Sequence, residues 1–253
     1  MSAPSSSGAG GAGKGGASTS QAVAAVGAPR ADGKLDSGWA LWYDKKGASK
    51  TSTQEFRQKL QKLGSFDSIE GFWRLYLHVK RPSQLDNNVN LYLFRDNQLP
   101  PMWESYPRGG CWILKVKKKT LAGGPSVLGK LWQDMVLALV GEQFEEPDVV
   151  GISICIRTNE DLISVWNADN RNEEIKMRIG EKLKIILDLE LSTVIEYKSH
   201  ADSMRDLSSF RNTKSFVYAA AASVGLNTHQ QQQQGGGGGG GGGAGGASAP
   251  HHP

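Results

Sequence analysis

The chain has 253 residues and a formal net charge of +4, from 29 Lys and Arg against 25 Asp and Glu. That excess is too small for the dense basic face of a protein that coats duplex nucleic acid, although it permits a local phosphate-contacting patch. Two cysteines, Cys111 and Cys155, make no disulfide framework and no Cys-x-x-Cys pattern, no apolar run reaches the ~18 residues of a membrane span, and no secretory signal opens the chain.

Residues 1–37 are rich in Gly, Ala and Ser, with few charges and no apolar period. Residues 219–253 contain the Gln230–Gln234 tract, the Gly235–Gly243 run and a closing His251-His252-Pro253. Neither segment carries enough apolar surface to offset the entropy of ordering it, so both are predicted to be disordered tails. Residues 38–218 are left as one domain, long enough to build a core of its own.

The domain opens with a strand-like segment, Trp39–Lys45, in which Trp39 and Trp42 stand three apart. A polar stretch follows, Thr53-Gln54-Glu55-Phe56-Arg57-Gln58, predicted as a loop with Phe56 as its one aromatic residue. A first helix is predicted after Asp67, with Glu70 three residues on as a capping box. Its apolar set Ile69, Phe72, Trp73, Tyr76 and Leu77 has helical spacing, and Pro82 is its stop. Next come a strand at Asn90–Asp96, the segment Pro100-Pro101-Met102-Trp103-Glu104, a surface loop through Gly109-Gly110, and a strand at Cys111–Lys117.

A second helix is predicted from Ser126 to Gly141, apolar over a broad arc. Its start reads Gly124-Pro-Ser-Val-Leu-Gly129-Lys130-Leu131, which resembles a phosphate-binding loop but has Leu131 where a magnesium-binding hydroxyl belongs. Val127 and Leu128 fit the apolar arc, so Gly129-Lys130 is predicted inside the helix. In the strand Val150–Thr158, Ile152, Ile154 and Ile156 share one face, which leaves Ser153, Cys155 and Arg157 on the other. Asn159-Glu160 links it as a hairpin to Asp161–Asn167, where Leu162, Ser164 and Trp166 share a face. A third helix from Asn172 to Leu187 turns Ile175, Ile179, Leu183 and Ile186 inward, and a last strand is predicted at Thr193–Ser199. The segment Ser203–Lys214, with Arg205, Arg211 and Lys214, is predicted as a flexible basic loop able to grip phosphates. Strand pairs with helices in the gaps between them indicate an α+β fold, an antiparallel sheet with helices on one face.

The chemistry concentrates in aromatic residues beside acids. Trp42, Trp112 and Trp132 lie on apolar periodic faces and are expected to be core. Trp103 differs, because it sits before a loop and next to Glu104. An indole face attracts a cation, and a neighbouring carboxylate accepts strong, charge-assisted hydrogen bonds. Together they suit a flat, cationic, hydrogen-bond-donating ring. No catalytic set emerges: His200 has no nucleophile elbow or activated cysteine near it in sequence, and no spacing suits a metal. No cofactor is implied.

Trp39-Ala-Leu-Trp42-Tyr43, Phe66-Asp-Ser-Ile-Glu-Gly-Phe-Trp73, Pro101-Met-Trp-Glu104, Gly109-Gly-Cys-Trp112, Gly141-Glu-Gln-Phe144 and Ile163-Ser-Val-Trp166 resemble the eukaryotic translation initiation factor 4E family over residues 38–218. Glu160-Asp-Leu-Ile-Ser-Val-Trp-Asn167, Glu196-Tyr-Lys-Ser-His200 and Arg205-Asp-Leu-Ser-Ser-Phe-Arg-Asn212 are most similar to its divergent branch, the 4E-homologous protein and the plant novel cap-binding protein. The resemblance implies a curved antiparallel sheet backed by three helices on its convex face. It implies a monomeric, non-enzymatic protein of the cytoplasm, and also of the nucleus, that binds the 7-methylguanosine cap of mRNA in translation initiation or its repression. By position, Phe56 and Trp103 would sandwich the methylated base and Glu104 would read its edge. Trp166 would meet the N7-methyl and Arg157 the phosphates, with Arg205, Arg211 and Lys214 as further phosphate contacts. Ile69, Trp73 and Leu137 on the helical side would receive a Tyr-x-x-x-x-Leu helix from a 4G-type scaffold or a 4E-binding repressor.

The pattern departs from the family in places. The first sandwich residue is Phe56 where the main class has Trp. Cys111 replaces a usual basic residue, and Leu162 replaces a Lys that reaches phosphate. The His-Pro pair usual before the first strand is missing. A cap affinity below that of the main class is therefore expected, with Arg157 and the Ser203–Lys214 segment carrying most phosphate contact. Two other classes stay open: an aromatic platform for sugars or another small ligand, and a nucleotide hydrolase, which would need an acid cluster that the sequence lacks.

Overall fold

The computed structural model describes residues 32–47, 52–97, 99–118, 125–190 and 192–216. The predicted tails lie outside these residues except at 32–37, and Gly124 of the loop-like motif lies outside them too. Among the described residues eight strands form one sheet: β1 (Lys34–Lys45), β2 (Gln61–Ser68), β3 (Val89–Arg95), β4 (Gly110–Lys117), β5 (Val149–Cys155), β6 (Glu160–Asn167), β7 (Ile195–Ser199) and β8 (Lys214–Phe216). Their order across the sheet is β2-β1-β3-β5-β6-β4-β7-β8. All neighbours pair antiparallel. Among the described residues five α-helices accompany the sheet: α1 (Thr53–Lys59), α2 (Ile69–Tyr76), α3 (Pro125–Val140), α4 (Glu173–Ile186) and α5 (His200–Asp206). The predicted α+β class is the observed one.

The period of two along each strand divides the apolar residues between two clusters. Leu91 and Leu93 of β3, Ile152 and Ile154 of β5, and Ile163 and Val165 of β6 pack with Trp112, beneath Phe72 of α2, Trp132, Met135 and Leu139 of α3, and Ile179 and Leu183 of α4. This is the main core, and α2, α3 and α4 are the three backing helices that the sequence predicts. The alternate residues Tyr92, Phe94, Cys111, Ile113, Cys155, Leu162 and Trp166 form a second cluster on the opposite face. Phe56, Trp103 and Trp42 pack against this second cluster.

Several predicted boundaries move. Strand β1 begins at Lys34, inside the stretch that composition marks as tail. The cap of α2 is Ser68 and not Asp67: the Ser68 hydroxyl accepts from the Gly71 N–H, while Asp67 pairs with Lys34. Either residue suits an N-cap, and the salt bridge across β1 and β2 takes the acid. The helix ends at Tyr76, and Pro82 instead opens a 3-10 turn. The polar stretch around Phe56 is the helix α1, held by a complete capping box in which Ser52 and Glu55 satisfy each other's N–H groups. Gly129 and Lys130 lie inside α3, where Lys130 pairs with Asp134 one turn on. Trp112 and Trp132 are core, but Trp42 is half-buried on the face away from the backing helices.

Arg95 ties the centre of the sheet to the turn after α3. Its guanidinium donates two bonds to Glu142, at 2.8 and 2.7 Å, and one to the Val149 carbonyl at 2.9 Å. It also lies 4.8 Å over the Trp39 ring. No described helix is long and apolar enough to cross a membrane.

Candidate functional site

The face opposite the backing helices holds a slot of about 340 Å³, within the size range of small-molecule sites. Phe56, Trp103, Glu104, Arg157 and Trp166 all line it, although they come from separate segments. Phe56 is carried by α1, and Trp103 and Glu104 by a 3-10 turn at Trp103–Ser105. Arg157 follows β5, on the same side as Ser153 and Cys155. Trp166, near the end of β6, is 6 % exposed and forms part of the floor. Its indole N–H donates to the Ser153 hydroxyl at 3.0 Å, which fixes the ring plane. Phe94 packs edge-on against it from β3 at 5.3 Å.

Around Trp166 the floor is apolar, and its titratable groups are held neutral. His200 is fully buried, 4.6 Å from the Trp166 ring, and burial pushes its pKa down to about 4. Its Nδ1 lies 2.7 Å from the Tyr106 carbonyl, an atom that can only accept, so Nδ1 carries the proton. Nε2 is then the acceptor for the Cys111 thiol at 3.2 Å. The structure thus brings together a Cys–His pair whose members lie far apart in sequence. Burial raises the Cys111 thiol well above its ordinary range, so the pair is a neutral hydrogen bond and not an activated nucleophile. Burial likewise pushes Cys155 up to about 11.

The His200 shift has a consequence for stability. Between pH 6.5 and about 4 the unfolded chain binds a proton at this residue that the folded chain refuses. Its contribution is therefore complete above pH 6.5 and is lost as pH falls toward 4. Urea unfolding is expected to show a loss of about 2 kcal/mol from this group between pH 7 and pH 5. A His200→Asn variant should lose that part of the slope, and an unchanged slope would refute the assignment.

At the other end the slot is polar. Asp44 of β1 is buried there, and its carboxylate accepts from the Asn90 amide and the Tyr92 hydroxyl, both at 2.7 Å. Burial raises its pKa, against those two hydrogen bonds and the nearby Arg157. The sequence reading missed this acid. Its signal was the alternation that puts Asp44 on the same face as Trp42, with Asn90 as its partner in register across β1 and β3. Lys46 and Lys59 also line this cavity and were not anticipated.

The predicted phosphate-contacting residues separate. Arg211 lines the slot. Arg205 lies on α5 and is paired with Asp202, and Lys214 is an exposed residue of the edge strand β8. The Ser203–Lys214 segment is therefore not the flexible loop its composition suggests. The buried Lys198 ammonium organises it, donating to both Asp206 carboxylate oxygens at 2.8 and 2.7 Å, to the Ser208 carbonyl at 2.8 Å and to the Arg211 carbonyl. Among the described residues no group of His, Cys, Asp and Glu could hold a metal ion.

On the helical side Ile69 and Trp73 of α2 and Leu137 of α3 are 44 %, 39 % and 38 % exposed, and Leu77 beside them is more open still. These side chains are exposed on the backing helices and are not part of the core. Trp73 is braced edge-on by Phe72 and Tyr76, with centroids at 4.8 and 6.2 Å.

An eight-stranded antiparallel sheet with three helices on one face and an aromatic, cation-edged slot on the other defines an α+β protein with a ligand-sized slot on its open sheet face. The family model described as "Eukaryotic initiation factor 4E" matches residues 34–215, and the chain belongs to that family. The wheat eukaryotic translation initiation factor NCBP is 38 % identical over 176 residues, covering 68 % of this chain and 72 % of that protein. The rice NCBP is 36 % identical over 178 residues, covering 69 % and 74 %. Among solved structures, Caenorhabditis elegans eIF4E-3 in complex with the 4E-binding protein Mextli superposes with a TM-score of 0.62 at 32 % identity, covering 68 % of this chain and 96 % of that one. Ascaris suum eIF4E-3 with the m7G cap gives 0.60 at 33 % identity, covering 68 % and 93 %.

Proposed function

We infer that this chain binds the 7-methylguanosine cap of mRNA and acts in translation, in initiation or in its repression, as a binding protein and not an enzyme. The observation that carries this is the convergence of Phe56, Trp103, Glu104, Arg157 and Trp166 on one slot. Methylation at N7 makes guanine cationic, which strengthens stacking on the Phe56 and Trp103 rings. The Glu104 carboxylate accepts from the N1–H and the exocyclic amine. Trp166 closes the floor against the methyl group. Arg157 and Arg211, with Lys46 and Lys59, face the phosphates, and this set of cations favours a charged nucleotide over a neutral sugar.

With Leu162 buried in the floor and Phe56 in place of an indole, affinity should fall below that of the main initiation factor class. The exposed surface of Ile69, Trp73 and Leu137 suits the apolar face of a Tyr-x-x-x-x-Leu helix from a scaffold or a repressor, laid into a groove. Structural relatives are solved in complex with the 4E-binding protein Mextli and with the m7G cap. Action on mRNA in translation places the protein in the cytoplasm.

The test is retention on 7-methyl-GTP resin. The protein should be retained and eluted by 7-methyl-GTP but not by GTP. Equal elution by both nucleotides would contradict a site built for a cationic base.

A further inference from the structure

Helix α1 carries Phe56, yet none of its residues is fully buried, and it spans only Thr53–Lys59. A short helix without a buried face is held to the domain weakly. At its end the buried C-cap Leu60 leads into β2, and two further contacts tie the helix itself to the slot. Phe56 packs against the slot-side cluster. At the first residue of the helix, the Thr53 hydroxyl donates to Glu104 Oε1 at 2.8 Å. That bond joins the element bearing one aromatic lining residue to the turn bearing the other and the Glu104 carboxylate.

We propose that Thr53 is a positioning residue: its hydroxyl straps α1 to Glu104, and so sets both the gap between Phe56 and Trp103 and the rotation of the carboxylate that reads the base. This rests on the cap-binding function proposed above. A carboxylate oxygen has two acceptor directions, so Oε1 can keep the Thr53 bond while accepting from a ligand. The strap therefore does not have to break for binding. It acts before binding, by holding the walls and the acceptor in the receptive geometry and reducing the ordering that association must otherwise supply.

The strap needs only the hydroxyl, because Thr53 is exposed and has no packing role in the core. Thr53→Val keeps the shape and removes the donor, whereas Thr53→Ser keeps the donor and removes the methyl group. Binding of 7-methyl-GTP is read by quenching of tryptophan fluorescence, and melting temperature is followed in parallel. Thr53→Val should bind about five-fold more weakly, with the melting temperature within about a degree of the unmodified protein. Thr53→Ser should bind within about two-fold of it. Unaltered binding by Thr53→Val overturns the strap, and so does equal weakening by both variants, which would point to helix stability instead. Failure of the unmodified protein to bind 7-methyl-GTP is a separate result, which removes the cap-binding function itself and the strap with it.

Discussion

Replacement of Trp103 by alanine is expected to weaken 7-methyl-GTP binding by about 30- to 100-fold, while leaving the fold intact. Trp103 sits on a 3-10 turn, half-buried against the slot-side cluster and not inserted in the main core. Stability should therefore change little. Base–aromatic stacking is worth roughly 1–3 kcal/mol per contact, and the positive charge on a methylated guanine adds a cation–π part that GTP lacks. The variant should accordingly lose most of its preference for the methylated nucleotide as well as its affinity. Phe56→Ala should follow the same direction with a smaller loss, since a phenyl ring is the weaker cation–π partner. Fluorescence titration with 7-methyl-GTP and GTP on all three proteins measures both effects. Unchanged affinity in Trp103→Ala, with a normal melting curve, would move the ligand out of this slot.

The sheet and its backing helices were legible because their information is local. Alternation in Ile152–Arg157 and Leu162–Trp166 assigns each side chain to a face, and the observed faces follow it. The helical spacing of Ile175, Ile179 and Leu183 does the same for α4. Where local signals compete, the sequence misleads. Asp67 and Ser68 are both good caps, and only the long-range pairing of Asp67 with Lys34 leaves the role to Ser68. Apart from Phe56, helix α1 is polar, so it has no apolar stripe to detect, and its capping box was the one available sign. Strand β2 reads Gln61-Lys-Leu-Gly-Ser-Phe-Asp-Ser68, too polar to stand out, and owes its place to pairing with β1. In the slot, the aromatic and charged residues could be placed by their motifs. The Cys111–His200 contact and the Asp44–Asn90–Tyr92 cluster could not, since they join residues distant in sequence across strands whose pairing is set by the fold.

The Ser203–Lys214 segment shows the same limit most clearly, and it supplies the second large expectation. Its composition is that of a mobile basic loop, but Lys198, from β7, is 2 % exposed and directs its ammonium group into it. Asp206 is held ionised there, because the Lys198 and Asn212 hydrogen bonds outweigh the effect of burial and keep its carboxyl below the ordinary range. Removing the ammonium takes the donor from the Ser208 and Arg211 carbonyls and the counter-charge from Asp206, which keeps only its Asn212 and Ser208 N–H donors. Lys198→Met is therefore expected to destabilise the protein by about 3 kcal/mol, the lower end for a broken buried pair because Asp206 keeps some access to water. For a domain of this size that corresponds to a fall in melting temperature of roughly 6–12 °C. Asp206→Asn should cost at least as much, because it leaves the buried Lys198 ammonium with carbonyl partners but no counter-charge. The same network fixes the Arg211 backbone at the slot, so Lys198→Met should bind 7-methyl-GTP several-fold more weakly while its affinity for 7-methylguanosine, which has no phosphates, stays nearly constant. Parallel weakening for both ligands would mean that Lys198 supports the slot as a whole, and that Arg211 is not held there to meet phosphate.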